Sequence, residues 1–249
     1  MLELNRISAG YGKQTVLDGI SVDFEKGKLT SIIGVNGCGK STLLKAILGI
    51  LSLSSGEIFI DGENLLTISR NEIAKKIAYL SQGKNIPDMT VEQMVLHGRF
   101  PYLSYPRRYS SHDREVAIKA MEAVGIAEFA HKPLYSLSGG MRQNAYIAMA
   151  LAQDTDYILL DEPTTYLDIA HQVELMRILR KLADCGKGIV TVMHNLPIAF
   201  YFSDKLTVMS NGKIIVYGTP SEICESHMVE DIFGVKIKQV QKGKYLYEY

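Results

Sequence analysis

Apolar and polar positions change rhythm along this chain, and each rhythm predicts a different kind of element. Leu2, Leu4 and Ile7 alternate with polar neighbours and predict a strand that runs into Gly10-Tyr11-Gly12. Residues 16–24 predict a second strand, with Glu25-Lys26-Gly27-Lys28 as the turn after it. Residues 29–33 are a short apolar run that reads as a buried strand, after which Leu43, Leu44, Ile47 and Leu48 recur at helical spacing. Ser54-Ser55-Gly56 reads as a break, residues 57–60 as a strand ending at Asp61-Gly62, and residues 77–80 as a strand delivering Ser81-Gln82.

From about residue 83 to residue 154 the spacing becomes helical throughout. Thr90 with Gln93 makes a capping box for a helix through Arg99. A second helix starts near Ser110 or Ser111, buries Val116, Ala117, Ala120, Met121 and Val124, and stops at Gly125; a third follows Ser138. Strands then return. Residues 157–160 are apolar and end in Asp161-Glu162-Pro163, a helix covers residues 169–182, and residues 188–193 form a strand ending in His194. Residues 206–209 and 214–217 flank Asn211-Gly212, a strong hairpin signal, and the tail alternates around a hairpin at Lys242-Gly243. The pattern is α/β, with a helical block inserted between strands.

Composition narrows this picture without redirecting it. A chain of 249 residues with 47% hydrophobic and 22% charged positions fits one large α/β domain or a domain with an insertion. Lys plus Arg and Asp plus Glu both number 27, so no global charge draws it to nucleic acid or acidic lipid. Arg99, Arg107, Arg108 and Arg114 interleave with Tyr102, Tyr105 and Tyr109, a pattern that can mark nucleic-acid binding, but no recognition module surrounds it. A docking or solvated surface is the expectation, and no nucleic-acid partner is expected. No signal peptide is evident and no apolar run nears the 18 or so residues of a membrane span. Cys38, Cys185 and Cys224 are far apart and odd in number, which suits a reducing cytoplasm.

Chemistry concentrates in GVNGCGKST, residues 34–42, which fits the phosphate-loop pattern G-x-x-x-x-G-K-[ST] at Gly34, Gly39, Lys40 and Ser41. Glycines let successive N–H groups turn inward around a triphosphate, Lys40 reaches the β- and γ-phosphates, and the Ser41 hydroxyl can ligate Mg²⁺. The loop lies between a strand and a helix, which delivers phosphate to a helix N-terminus. Asn36, Gly37, Cys38 and Thr42 complete the candidate contacts to a nucleoside triphosphate, Cys38 through its backbone N–H. A second strong signal is the apolar strand closing on Asp161-Glu162, where a phosphate-loop enzyme holds its metal. Asp161 is placed opposite Ser41, mostly through water, and Glu162 on the other side of the strand end as the candidate base for an attacking water. Ser138-Gly139-Gly140 opens a helix and forms a second backbone anion site, nearly a hundred residues away from the first.

In order along the chain, GVNGCGKST, Gln82, LSGGM (137–141), ILLDEP (158–163), Tyr166-Leu167-Asp168 and His194 resemble the ATP-binding-cassette (ABC) family over essentially the whole length. The resemblance implies a P-loop NTPase (RecA-like) core with an N-terminal antiparallel β-subdomain and an inserted helical subdomain. Residues 1–83 would be the first half of the core with the β-subdomain and phosphate loop, 84–154 the helical signature subdomain, 155–220 the second half, and 221–249 a C-terminal helix and hairpin. It further implies that Tyr11 stacks on adenine, an interaction of roughly 1–3 kcal/mol if base–aromatic stacking elsewhere is a guide. Gln82 would contact Mg²⁺ and the attacking water, and His194 the γ-phosphate and Glu162. Two cassettes would pair head to tail, so that Ser138, Gly139 and Gly140 of one cap the γ-phosphate held by the other, with Asp168 across the interface.

Gly98-Arg99-Phe100-Pro101, DEPTTYLD (161–168) and Ile169-Ala170-His171-Gln172 look like the cassettes of iron-siderophore, haem and cobalamin importers. Met141 and Asn144 depart from the family signature, which usually has glutamine and commonly a basic residue there. The implied function is ATP hydrolysis driving import of an iron chelate or related complex, at the cytoplasmic face of the membrane. Separate permease subunits and, indirectly, a substrate-binding protein would be its partners. A soluble cassette of DNA repair or translation, a cassette for another substrate or for export, and a small P-loop kinase are the alternatives. The residues after Gln82 and around 99–105 are expected to line a groove for a permease helix, with Tyr102, Leu103 and Tyr105 as contacts and Arg99 as its hydrogen-bonding rim.

Overall fold

A strand that is apolar on both faces has to be covered on both, and that requirement sets the layers of this chain. The computed structural model of the chain describes residues 1–82, 86–241 and 243–248. The first layer is antiparallel. It contains β1 (Leu2–Tyr11) and β2 (Gln14–Phe24), then, beyond β3 (Leu29–Gly34) and helix α1 (Lys40–Ile47), β4 (Leu53–Ile60) and β5 (Glu63–Asn64), in the order β2-β1-β4-β5. Ser54-Ser55-Gly56 is therefore not a break but part of β4. Gly56 faces a bulge at Arg6, whose φ is 46°, and a Cβ on Gly56 would lie 2.4 Å from Arg6 O. Glycine here serves a close backbone approach within the sheet.

No apolar rhythm marks residues 63–76, yet helix α2 (Arg70–Lys76) forms there, opened by a reciprocal Ser69–Glu72 capping box. It leads into β6 (Ile77–Leu80). The helical block follows: α3 (Val91–Leu96), α4 (Ser111–Ala123) and α5 (Gly139–Ala152), capped by Thr90, Ser110 and Ser138. The helix expected to reach Arg99 ends as α-helix at Leu96 and continues as a 3₁₀ turn over His97–Tyr102, which contains Pro101. Proline disfavours α geometry in the residue before it and cannot donate.

The second half contributes β7 (Tyr157–Asp161), α6 (Ile169–Asp184), β8 (Gly188–Val192), α7 (Leu196–Phe202), β9 (Lys205–Ser210) and β10 (Lys213–Gly218). The central sheet runs β10-β9-β3-β8-β7-β6, parallel except for β10. Every residue of β3, β7 and β8 is buried. Alternation divides them between two cores: Ile32, Leu159, Val190 and Val192 pack with α1 and the antiparallel layer, while Ile33, Ile158, Leu160 and Ile189 pack with the helices opposite. At the end of the chain two short helices, α8 (Pro220–Glu225) and α9 (Met228–Phe233), precede the hairpin β11 (Lys236–Gln241) and β12 (Lys244–Glu248). The expected turn residue Lys242 lies outside the described residues.

Arg99 requires a correction. It is not the rim of a groove: only 5% exposed, it donates from Nε to Asp113 Oδ1 at 2.9 Å and from Nη1 to Ala152 O at 2.9 Å. Tyr102 lies with its ring 4.0 Å from the Arg99 guanidinium carbon and donates its hydroxyl to Gln153 O, closing the helical block onto the end of α5. Arg107 stacks on Phe100, and Arg114 pairs with Glu92, which offsets its charge. The residues just after Gln82, 83–85, lie outside the described residues.

Burial alone would raise the Asp113 carboxyl, but hydrogen bonds from Ser110 and Arg99 outweigh it and hold the pKa at about 2. The folded value lies below the unfolded one, so this contribution is complete above the unfolded value of 3.8 and vanishes as pH falls to about 2. It amounts to about 2 kcal/mol. Arg99→Ala leaves a buried carboxylate without its cation, and urea unfolding at neutral pH should show a loss of about 3–5 kcal/mol. A loss below about 1 kcal/mol, the range of an exposed pair, contradicts this account.

Candidate nucleotide-hydrolysis site

Parallel strands β3, β8, β7 and β6 end at one edge of the central sheet, the edge at which open α/β sheets bind ligands. The phosphate loop leaves β3 there. Gly34 has no room for a side chain, since a Cβ would lie 2.4 Å from Met209 O and 2.7 Å from Cys38 Sγ. Gly37 and Gly39 have φ of 79° and 107°, and Gly39 is the N-cap of α1 with no side chain capping it. The loop is thus a ring of backbone wrapped around the start of a helix, with a helix dipole directed into it. Lys40 lies buried inside the ring, donating to Gly34 O at 2.8 Å and Val35 O at 3.0 Å. This is a cradle shaped for phosphate, and its residues fit the group the sequence predicts. Tyr11 is half-exposed at the end of β1, and that hairpin packs on the loop through Val16 and Leu17 against Gly39.

Asp161 ends β7, and its carboxylate accepts directly from Ser41 Oγ at 3.0 Å and from Tyr79 Oη at 3.4 Å. The predicted placement opposite Ser41 is found, with a direct bond where water was expected. Burial pushes the Asp161 carboxyl up and the neighbouring Glu162 charge adds to this, while the Ser41 and Tyr79 hydrogen bonds oppose it. A cation beside Asp161 and Ser41 would relieve that cost, which is the electrostatic fit of Mg²⁺ to these oxygens.

Glu162 is one residue further on, with φ of 51°. A glutamate held in the left-handed region carries backbone strain that its surroundings must enforce. The turn swings its carboxylate away from Asp161 to meet three partners: His194 Nε2 at 2.6 Å from Oε1, and Gln82 Nε2 and Thr165 Oγ1 at Oε2. Gln82, Glu162 and His194, each just past the end of a different strand, thus form one cluster. Sequence reasoning missed Tyr79 and Thr165. Thr165 stands three residues after Glu162 in a turn, a spacing that side-chain hydrogen bonds favour. Tyr79 depends on the pairing of β6 with β7, which no local signal reveals.

Ser138 caps α5, its Oγ accepting from Met141 N at 3.3 Å. Gly139 and Gly140 N–H have no intrachain acceptor among the described residues, so the helix start retains free donors. A cleft of about 250 Å³ separates Gly139 and Arg142 from Gln82, Asp161 and Glu162. Asp168 caps α6, accepting from His171 N and from His171 Nδ1, each at 2.8 Å. Asn144 donates to Val124 O within the helical block, and Met141 uses only its backbone at the cap.

Fold and site together define a P-loop nucleotide-binding protein. A family model described as "ABC transporter" matches residues 17–165. The petrobactin import ATP-binding protein FpuD of Bacillus anthracis is 40% identical over 237 residues, which are 94% of this chain and 87% of the relative. The ferric enterobactin transport ATP-binding protein FepC of Escherichia coli (strain K12) is 40% identical over 233 residues, 93% and 86% of the two chains. The solved structure of an inward-facing, putative metal-chelate type ABC transporter matches with a TM-score of 0.85 at 27% identity, over 100% of this chain and 97% of that one. The ATP-binding cassette MJ1267 in its ADP conformation matches at 0.85 and 26% identity, over 94% and 98%. The chain belongs to the ABC transporter family, as its ATP-binding and ATP-hydrolysing cassette.

The buried Asp161 gives a test with opposite signs. Its raised pKa means that ionisation costs stability, a cost absent below the unfolded value of 3.8 and complete above the folded value. Asp161→Asn removes that cost at neutral pH, so the nucleotide-free variant should melt at or above the wild-type temperature. The rise in melting temperature on adding Mg·ATP should shrink. Equal Mg·ATP stabilisation of both proteins would show that Asp161 holds no metal.

Proposed function

We propose that this cassette hydrolyses ATP at Glu162, as one half of a head-to-tail homodimer. The observation that carries this is the Glu162 carboxylate, fixed by His194, Gln82 and Thr165 beside the Asp161–Ser41 pair. Glu162 accepts the proton of the attacking water, Gln82 and His194 orient that carboxylate and meet the γ-phosphate side, and Lys40 holds the β- and γ-phosphates. Ser41 and Asp161, with Gln82, would hold Mg²⁺, which supplies charge neutralisation on the phosphate oxygens when bound. Tyr11 stacks on the base, and Asn36, Gly37, Cys38, Gly39 and Thr42 line the phosphates. Free N–H groups at Gly139 and Gly140, with the Ser138 hydroxyl, cap the γ-phosphate held by the other copy, with Asp168 at the interface.

Glu162→Gln should keep ATP binding and lose roughly 10²–10⁴-fold in hydrolysis. In that variant ATP, but not ADP, should drive dimerisation in light scattering. Wild-type turnover by Glu162→Gln rules out the base; a monomer with ATP at high protein concentration rules out the sandwich.

The work of hydrolysis is transport of an iron chelate through a separate permease, fed by a substrate-binding protein, with the cassette bound at the inner face of the membrane. Relatives named for petrobactin and ferric enterobactin support this reading, and no described helix is long and apolar enough to cross a membrane. Because Arg99 and Tyr102 close the helical block, the proposed seat for the permease moves to the adjacent groove of about 700 Å³, lined by Asp88, Met89, Thr90, Gln93, His97 and Tyr109. Deleting the gene should abolish uptake of radioiron presented as a siderophore complex, and the intact gene, not the Glu162→Gln form, should restore it. Undiminished chelate uptake in the deletion strain would exclude the substrate class.

A further inference from the structure

The two glycines at the start of α5 are glycine for different reasons. A Cβ on Gly139 would meet nothing within 4 Å, whereas a Cβ on Gly140 would lie 2.4 Å from His171 Cδ2, 3.0 Å from its Nε2 and 3.1 Å from its Cγ. The imidazole of His171, in the first turn of α6, is thus laid against the first turn of α5. Its other side is fixed as well. Nδ1 lies 2.8 Å from Asp168 Oδ1, the same oxygen that accepts from the His171 backbone N–H. With a carboxylate as partner, Nδ1 carries the hydrogen and donates. These bonds hold the Asp168 carboxyl below the usual carboxylate range, led by the backbone hydrogen bond.

Next along α6, Gln172 donates to Leu167 O at 2.9 Å and accepts from Asn195 Nδ2 at 3.3 Å. Asn195 follows His194, which holds Glu162. The loop 166–168 is therefore tied on one side to the hydrolytic cluster and on the other, through one imidazole, to the helix start that carries Ser138.

We propose that His171 is a positioning residue for hydrolysis: by bonding Asp168 and packing on Gly140, it sets the helix start at Ser138–Gly140 in register with the Asp168 loop. This rests on the head-to-tail reading, in which both segments serve the ATP held by the other copy. The contacts of His171 are with Asp168 and Gly140 and not with the phosphate loop, so its loss acts on turnover and pairing rather than on nucleotide capture. An asparagine at 171 can place an N–H donor close to the position of Nδ1, whereas alanine cannot.

The test compares His171→Ala, His171→Asn, Gly140→Ala and the double variant Gly140→Ala/His171→Ala in the full chain. Thermal melting first establishes that each is folded. Affinity for a fluorescent ATP analogue at dilute protein should be unchanged in His171→Ala, while kcat falls roughly tenfold, the scale of coupling between contacting residues. His171→Asn should recover most of that loss. Gly140→Ala should be the most impaired, and removing the imidazole in the double variant should return it to the level of His171→Ala. Wild-type kcat in His171→Ala, no advantage of asparagine over alanine, or no relief in the double variant would each overturn the proposal. Dimerisation of Glu162→Gln with ATP, run in parallel, separates this from failure of the head-to-tail reading: if that pair forms and His171→Ala leaves both its formation and turnover intact, only the role of His171 falls.

Discussion

Parallel strands buried on both faces can offer polar chemistry only where they end. β3, β7 and β8 are buried at every position, and the residues that carry charge or donors, Lys40, Asp161, Glu162 and His194, stand at or just past their carboxyl ends. The ladder fixes where those ends lie relative to one another: Leu80 pairs with Leu160, and Asp161 with Val192. Gln82, Glu162 and His194 are brought together because each lies one or two residues beyond a paired position. The site is a consequence of register, and a slip of one residue in β7 would exchange the directions of Asp161 and Glu162.

Two neighbouring carboxylates with different duties need different surroundings. Asp161 continues the strand, stays buried between Ser41 and Tyr79, and has its charge disfavoured by desolvation and by Glu162. A cation placed beside it would offset that cost, which is the basis for proposing Asp161 as the metal-holding carboxylate. Glu162 leaves the strand through a left-handed residue and points to the cleft, where His194, Gln82 and Thr165 orient it. The left-handed turn at that one residue sends two consecutive carboxylates into different surroundings, as the proposed division between metal holding and proton acceptance requires.

The phosphate loop, the strand ending in Asp161-Glu162 and the three capped helix starts were legible because their signals are local: a few residue types at fixed spacing. The α/β class was legible for the same reason, from apolar runs alternating with helical spacing. What the sequence hid depends on distant partners. Ser54-Ser55-Gly56 reads as a break until the bulge at Arg6 supplies the reason for Gly56. Arg99 reads as a surface cation until Asp113 and Ala152 O enclose it. Tyr79 and His171 have neighbours 82 and 31 residues away, Asp161 and Gly140, and no spacing rule reaches that far.

The head-to-tail pair proposed for this cassette would pose a coupling problem on which its intrachain wiring bears. In such a pair the residues that hydrolyse one ATP and the helix start that caps it belong to different chains, so each chain must keep its two contributions in a fixed relation. A flexible loop between them would let one site close while the other stayed open. Here Leu167 is held through Gln172 and Asn195 on the side of His194, and Asp168 through His171 on the side of Gly140. Tyr166, at φ of 66° and 95% exposed, leaves the apex of that loop free to meet another surface. Rigid supports with an exposed tip suit a segment that must report the state of one site to the other, since displacement of either support moves the tip rather than being absorbed within it.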